Sequence, residues 1–275
     1  MAGRSVLITG CSSGIGLCVA RGLHARGWRV FASARRPEDV ARLAGEGLES
    51  LQLDLDDSAS IRAAVETLLE RTQGTLHALF NNGAYGQPGA IEDLSRAVLR
   101  EQFETNLFGW HELTRLVLPV MRRQGHGRIV QHSSVLGFVA LRYRGAYNAS
   151  KYALEGLTDT LRLELRDSNI HVALIDTGPV TSRFRENAHA AFLRNIDREH
   201  SVHREHYARV VKRLTTKGAV VPFTRPPEAV LKKVVHALES RNPRPRYYVT
   251  FPTYLFALLK RILPQRTLDR LLYRI

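Results

Sequence analysis

Tyr147 and Lys151 stand four residues apart in Ala146-Tyr147-Asn148-Ala149-Ser150-Lys151, and Ser134 lies thirteen residues before the tyrosine in His132-Ser133-Ser134-Val135. On a helix this spacing puts the phenol and the ammonium on one face, one turn apart. A phenol ordinarily keeps its proton up to a pKa of about 10. A neighbouring cation favours the phenolate, each unit of depression reflecting about 1.4 kcal/mol, so the pair reads as a proton-transfer group working near neutrality. A hydroxyl supplied by a nearby strand, that of Ser134, would then hold the oxygen of a reacting carbonyl or alcohol. Tyr-x-x-x-Lys is also a common chance pattern, and three solvated polar residues are the plain alternative. The company of the trio decides between them.

The elements that must position these groups follow from hydrophobic periodicity. Strand-like runs fall at residues 5–9, 29–34, 48–54, 78–81, 128–132 and 171–176, and amphipathic segments at 15–26, 37–44, 58–72, 96–122 and 147–168. Strands without strict alternation, separated by helices, predict a parallel sheet covered on both faces. The fold class expected is α/β, a Rossmann-type doubly wound sheet. Residues 182–221 break the rhythm, rich in Arg and His and poor in apolar residues, and are expected to form a helical insertion over the substrate. A last strand at 246–250 precedes a basic tail. The expected organisation is one domain over 1–250, the 182–221 insertion included, followed by an amphipathic tail over 251–275.

The first strand runs into Thr9-Gly10-Cys11-Ser12-Ser13-Gly14-Ile15-Gly16 and then a helix. Glycines there permit a tight turn and close backbone approach, and the helix N-terminus offers unpaired amides to a pyrophosphate. The spacing is Gly-x-x-x-Gly-x-Gly rather than Gly-x-Gly-x-x-Gly, and its place between strand and helix is what gives it meaning. At the end of the second strand the chain reads Phe31-Ala32-Ser33-Ala34-Arg35-Arg36, with no acid to hold a ribose 2′-hydroxyl. Arg35 can instead fork onto a 2′-phosphate, assisted by Ser33 or Arg36, which favours NADP(H). A solvated basic turn is the alternative. Asp54 closes the third strand, where a carboxylate could accept from the adenine amino group.

With these segments in order, the chain resembles the short-chain dehydrogenase/reductase family over roughly residues 3–185. The resemblance rests on residues 9–16, Asn81-Asn82, Thr105-Asn106, Ser133-Ser134 and Tyr147-Asn148-Ala149-Ser150-Lys151. The texture around Gly145-Ala146-Tyr147, and the tail, is similar to the 17β-hydroxysteroid-dehydrogenase-like branch, and within it to bacterial NADP-dependent aldehyde reductases. The resemblance implies Tyr147 as general acid/base, Lys151 as ribose ligand and modulator of the tyrosine, and Ser134 as the group polarising the substrate oxygen. It also implies Asn106 as holder of a relay water and Asn82 as a contact of the adenosine half. Gly10, Ser12, Ser13, Gly14, Ile15 and Gly16 would cradle the phosphates, while Val180 and Thr181 would face the nicotinamide amide. Two departures stand out. The family's Asn-Asn-Ala-Gly reads Asn81-Asn82-Gly83-Ala84, which shifts the backbone preference. Its Pro-Gly reads Thr177-Gly178-Pro179, so the loop loses a rigid proline at its entrance. Neither removes a reacting group.

Leu136, Phe138, Val139, Leu141, Tyr143 and Phe184 are candidates for an apolar substrate pocket or for ordinary packing, Leu136 and Phe184 being the chosen substrate contacts beside Ser134 and Tyr147. The expectation is reduction of a small apolar aldehyde or ketone. A steroid or retinoid alcohol dehydrogenase is the enzymatic rival, and a non-enzymatic, membrane-associated nucleotide sensor the rival from another class. His189, His200, His203 and His206 carry a spacing compatible with metal ligands, yet the family chemistry uses no catalytic metal, and a solvated insertion is preferred.

The chain of 275 residues carries a net charge of +14. Beyond residue 240 the bases Arg241, Arg244, Arg246, Lys260, Arg261, Arg266, Arg270 and Arg274 face the single acid Asp269. Basic surfaces attract nucleic acid, anionic lipid or anionic substrates, and no nucleic-acid motif accompanies the charge here. The tail therefore packs on the domain or a second subunit, covers the pocket, or lies on a membrane surface. Its apolar run is too short to span a bilayer. Cys11 and Cys18, the only two cysteines, argue against a disulfide framework. With no segment like a signal peptide, the expectation is a cytoplasmic protein, peripheral at most to the membrane. The resemblance implies a homodimer or homotetramer built on the long helices.

Overall fold

The computed structural model describes residues 4–275, and Met1–Gly3 of the expected first domain lie outside the described residues. Strands β1 (Ser5–Ile8), β2 (Arg29–Ala34), β3 (Glu49–Gln52), β4 (Ala78–Asn81), β5 (Gly127–Ser134), β6 (Ile170–Thr177) and β7 (Arg246–Tyr248) form one parallel sheet in the order β3-β2-β1-β4-β5-β6-β7. Strand faces explain the missing alternation in the sequence. Val6 and Ile8 enter one core cluster with Phe80 and Val130, while Leu7 enters another with Leu79 and Ile129. Both faces of each strand are covered, so both sets of side chains are apolar.

One face is covered by α1 (Gly14–His24), α2 (Pro37–Gly45) and α9 (Glu228–Glu239). The other carries α3 (Ser58–Arg71), α5 (Gly109–Gln124) and α6 (Gly145–Glu164), packed around Trp110, Leu113 and Leu154. Local chemistry sets several helix limits. The Asp57 carboxylate accepts from the Ala59 amide at 2.8 Å and so starts α3. Gly125, at φ +74°, ends α5 in the left-handed region.

The helix expected over 96–122 is interrupted. Helix α4 (Arg96–Phe103) meets a wider π turn at Glu104–Phe108 before α5 begins. The extra residue cannot be read from hydrophobic spacing, because it is held by the buried amide of Asn106 reaching outside the helix.

Residues 182–221 contain α7 (Phe184–Asn195) and α8 (Arg204–Thr215), so the helical expectation agrees with the structure. Few as its apolar residues are, the segment builds its own small core from Phe192, Ile196 and Tyr207 against Ala90. The tail forms α10 (Phe251–Ile262) and α11 (Gln265–Tyr273). Leu268 and Leu272 are buried against Val139, with Phe138 and Leu141 packed alongside. No helix among the described residues is long and apolar enough to cross a membrane.

Candidate active site

The strand order reverses between β1 and β4, and the expected functional residues gather at the carboxyl ends of the central strands, where such sheets open a crevice. Gly10 and Gly14 take φ of +72° and +57°, conformations that favour glycine. A Cβ on Gly16 would sit 2.2 Å from the Gly10 carbonyl oxygen, so the turn closes this tightly only with glycine there. Asn82 pins the turn from β4, its amide donating to the carbonyls of Thr9 at 3.0 Å and Gly10 at 3.3 Å. The Thr9 hydroxyl in turn accepts from the amides of Asn82 and Gly83. A glycine-lined cradle opening onto the N-terminus of α1 fits a pyrophosphate. Ser12, Ser13 and Ile15 lie in it, and Ser182, in the loop after β6, faces it across Gly14.

At the β2 end Arg35 is exposed and makes no ion pair among the described residues; its carbonyl accepts from Gln52. Arg36 is exposed too, 3.9 Å from Glu38. Ser33 cannot assist as expected. It is fully buried and its hydroxyl donates to the Ile8 carbonyl at 3.1 Å, so it fastens β2 to β1 instead of facing a ligand. Asp54 lies just beyond β3, half-buried, its carboxylate accepting from the Asp56 amide.

Ser134 ends β5, buried, with its oxygen accepting from the Leu136 amide at 3.1 Å. Leu136 is buried in the turn that follows. Tyr147 and Lys151 share one face of α6 as the spacing required. The Tyr147 ring packs edge-on against Phe184, centroids 5.3 Å apart, which brings the first residue of α7 over the tyrosine. Asn106 is fully buried and bonds both backbone groups of Tyr85, and its amide nitrogen reaches the Ser150 hydroxyl at 3.3 Å. Val180 and Thr181 follow β6 and are tied to Arg225, whose carbonyl accepts from the Thr181 amide. Gly178 is demanded here, since a Cβ would lie 2.2 Å from the Thr250 hydroxyl.

The electrostatics differ from the expectation. Burial pushes the Tyr147 phenol up to about 12, with the Ser134 hydroxyl acting against it. Lys151 does not supply the expected depression. Its ammonium donates to the His132 carbonyl at 2.7 Å and lies 4.2 Å from the Trp110 ring centroid, but 5.8 Å from that of Tyr147. Burial also pulls Lys151 down to about 7, while the carboxylates of Glu155 and Asp176 hold it up. Desolvation outweighs the pairwise attraction for both groups.

Several participants escaped the sequence reading. His132 bridges Asn82 Oδ1 at 2.9 Å and the Thr177 hydroxyl at 3.2 Å, joining the residue after β4 that pins the glycine turn to the end of β6. Burial, then the Lys151 charge, pushes its imidazole down to about 3, so it is neutral. The Asn82 amide nitrogen is committed to carbonyls, which assigns the His132 proton to Nδ1. Beneath Lys151, Arg246 pairs with Glu155 and lies 2.9 Å from Asp176, while the Ser133 hydroxyl donates to Glu155. Burial and the Glu155 charge hold the Asp176 carboxyl well above the usual range, Arg246 opposing them. Glu155 was findable, standing at the same four-residue period after Lys151. Arg246 and Asp176 carried no local signal.

Of the apolar candidates, Phe138, Val139 and Leu141 pack beneath the tail, and Tyr143 packs against His203, His206 and Tyr207. Three of the four histidines of 182–221 take separate partners: His200 pairs with Asp197, His203 with Glu92 and His206 with Arg209.

Fold and site together define a nucleotide-cradling α/β protein with a Ser/Tyr/Lys constellation at its switch point. The profile of the short chain dehydrogenase family matches residues 4–191. The chain is 42% identical over 269 residues to an uncharacterized oxidoreductase of Escherichia coli K12, covering 98% of this chain and 94% of that one. It is 34% identical to human 17-beta-hydroxysteroid dehydrogenase type 1, over 91% of this chain and 78% of that one. A short chain dehydrogenase/reductase of Burkholderia phymatum, crystallised in complex with NAD, superposes with a TM-score of 0.77 at 25% identity, covering 93% and 92% of the two chains. This chain belongs to the short-chain dehydrogenase/reductase family of oxidoreductases.

Proposed function

We propose that the protein is an NADPH-dependent reductase of apolar aldehydes or ketones. The observation that carries this reading is the convergence of Ser134, Tyr147 and Lys151 at the carboxyl ends of β5 and α6's first turns, with Phe184 closing on the tyrosine ring. The glycine cradle suits the pyrophosphate, and Arg35, free of carboxylate partners among the described residues, suits a 2′-phosphate better than a bare ribose. When bound, the nicotinamide nucleotide supplies a hydride to the carbonyl carbon. Ser134 holds the carbonyl oxygen and Tyr147 delivers a proton to it, so the developing alkoxide leaves as an alcohol. Lys151, in its charged form, holds the ribose. Asn106, fixed on Tyr85 and Ser150, holds the water that returns a proton toward Lys151. Leu136 and Phe184 line the approach to Ser134 and Tyr147.

A second reading, oxidation of a steroid or retinoid alcohol, rests on the likeness to the human hydroxysteroid enzyme. Medium-chain aldehydes, steroids and retinoids, each with NADPH and with NADH, separate the two readings. A Tyr147→Phe variant that kept full turnover of the best substrate would overturn both. The family's usual assembly supports a homodimer or homotetramer, which sedimentation velocity tests.

A further inference from the structure

We propose that the outer face of α10, extended by Phe223, docks the protein on an anionic lipid surface beside the substrate entrance. Phe251, Tyr254, Leu255, Leu258 and Ile262 recur at helical spacing along α10, which gives a single apolar stripe. That stripe is turned outward: Phe251 is 55%, Leu258 55% and Ile262 62% exposed. Phe223 prolongs it, its ring 4.9 Å from that of Phe251, and is itself 55% exposed. Phe223 holds φ +62°, a left-handed conformation costly for a bulky residue, so the backbone is strained to present an aromatic ring to solvent. Buried packing does not account for it.

Charge selects the occupant. Arg261 near the end of α10, Arg266 and Arg270 on α11, which follows it, and Arg274 just beyond are exposed and form no ion pair among the described residues. The only acid of the tail, Asp269, accepts from Gln265. An exposed apolar stripe on a tail that carries unpaired cations matches a bilayer whose surface is anionic. A second copy of the chain would bring like charge against like, on a protein of net charge +14. Binding is peripheral, since no helix among the described residues is long and apolar enough to cross.

The placement has a consequence for the reaction, and that part alone rests on the proposed function. Helix α10 packs on the turn Val135–Gly137 immediately after Ser134, and α11 buries Leu268 and Leu272 on Val139. A carbonyl dissolved in lipid would therefore enter beside the strand end that carries Ser134.

The test uses the full chain and sedimentation with vesicles of phosphatidylcholine alone or with about one-third phosphatidylglycerol. Retention on the anionic vesicles, weaker retention on neutral ones and release in roughly 0.5 M salt are expected. The Leu258→Glu/Ile262→Glu double variant should lose at least about tenfold in partition. Each of Arg266→Glu and Arg270→Glu should lose roughly fivefold or more. All variants should retain the wild-type melting temperature and vesicle-free turnover of a water-soluble carbonyl. A full chain that stays in the supernatant at low salt overturns the proposal. So do variants that partition like the wild type, or a stripe variant whose only change is a smaller mass by light scattering, which assigns the face to a second copy. Vesicle binding without carbonyl turnover would sink the reductase reading and leave this one standing.

Discussion

Replacing Glu155 by Gln tests whether the buried acids beneath Lys151 set its charge. Glu155 follows Lys151 by one turn of α6, a spacing that places side chains roughly 6 Å apart. At an effective dielectric of about 20, a pair of unit charges at that distance interacts by about 3 kcal/mol, or roughly two pKa units. Part of this returns through Asp176. Its carboxyl is held up by the Glu155 charge, so neutralising Glu155 lets it ionise more readily and take over some of the work. A net fall of about one unit is expected for Lys151, starting from about 7. The sign follows from its base character: activity requiring the ammonium is present below the lysine pKa and lost as pH rises through it. The alkaline limb of kcat/KM for NADPH, which reports the free protein, should therefore move about one unit lower. Glu155→Asp keeps the charge and should restore most of the limb. A purely structural role for the Arg246–Glu155 pair would depress activity at every pH without moving the limb. An unmoved limb in a Glu155→Gln protein of unchanged melting behaviour would refute the electrostatic argument.

Other outcomes follow from single contacts. Arg35→Ala should raise KM for NADPH by about 10- to 100-fold, the worth of a charge-assisted bond to phosphate, and leave that for NADH nearly unchanged; equal effects on both would remove the 2′-phosphate assignment. Gly16→Ala puts a Cβ 2.2 Å from the Gly10 carbonyl oxygen, and nucleotide affinity measured by fluorescence quenching should fall at least about tenfold. His132 sits at about 3 in the fold against an ordinary 6.5. The unfolded chain thus binds the extra proton between those values, and stability falls as pH drops from 6.5 toward 3. The loss is on the order of 4 kcal/mol, readable in urea titrations at several pH values, and His132→Asn should flatten it.

Much of this protein was legible before any fold was in hand, where the information is short-range. Parallel-strand burial wrote continuous apolar runs into β1, β4 and β6, and a 3.6-residue period placed Tyr147 and Lys151 on one face. The glycine turn was readable because a backbone that must pass through left-handed φ and approach itself closely accepts little else. Arg35 was readable because a residue just past a buried strand end is exposed by default. The same local reasoning failed where a side chain's role depends on what lies opposite it. Ser33 looked available for phosphate, yet the register of β2 on β1 commits its hydroxyl to Ile8. Asn106 looked like one residue of a continuous helix, but a π turn aims it at Tyr85.

The sequence by itself therefore determined the strand and helix periods, the glycine turn and the sharing of one helix face by Tyr147 and Lys151. Only the tertiary structure decided their state. Arg246 and Asp176 meet Glu155 beneath Lys151 from strands separated by 70 residues, and His132 joins Asn82 to Thr177, which no pattern links. The reason is the range of the forces involved. Backbone periodicity acts over a few residues, whereas desolvation and buried charge act through space, on whatever neighbours the sheet order brings together.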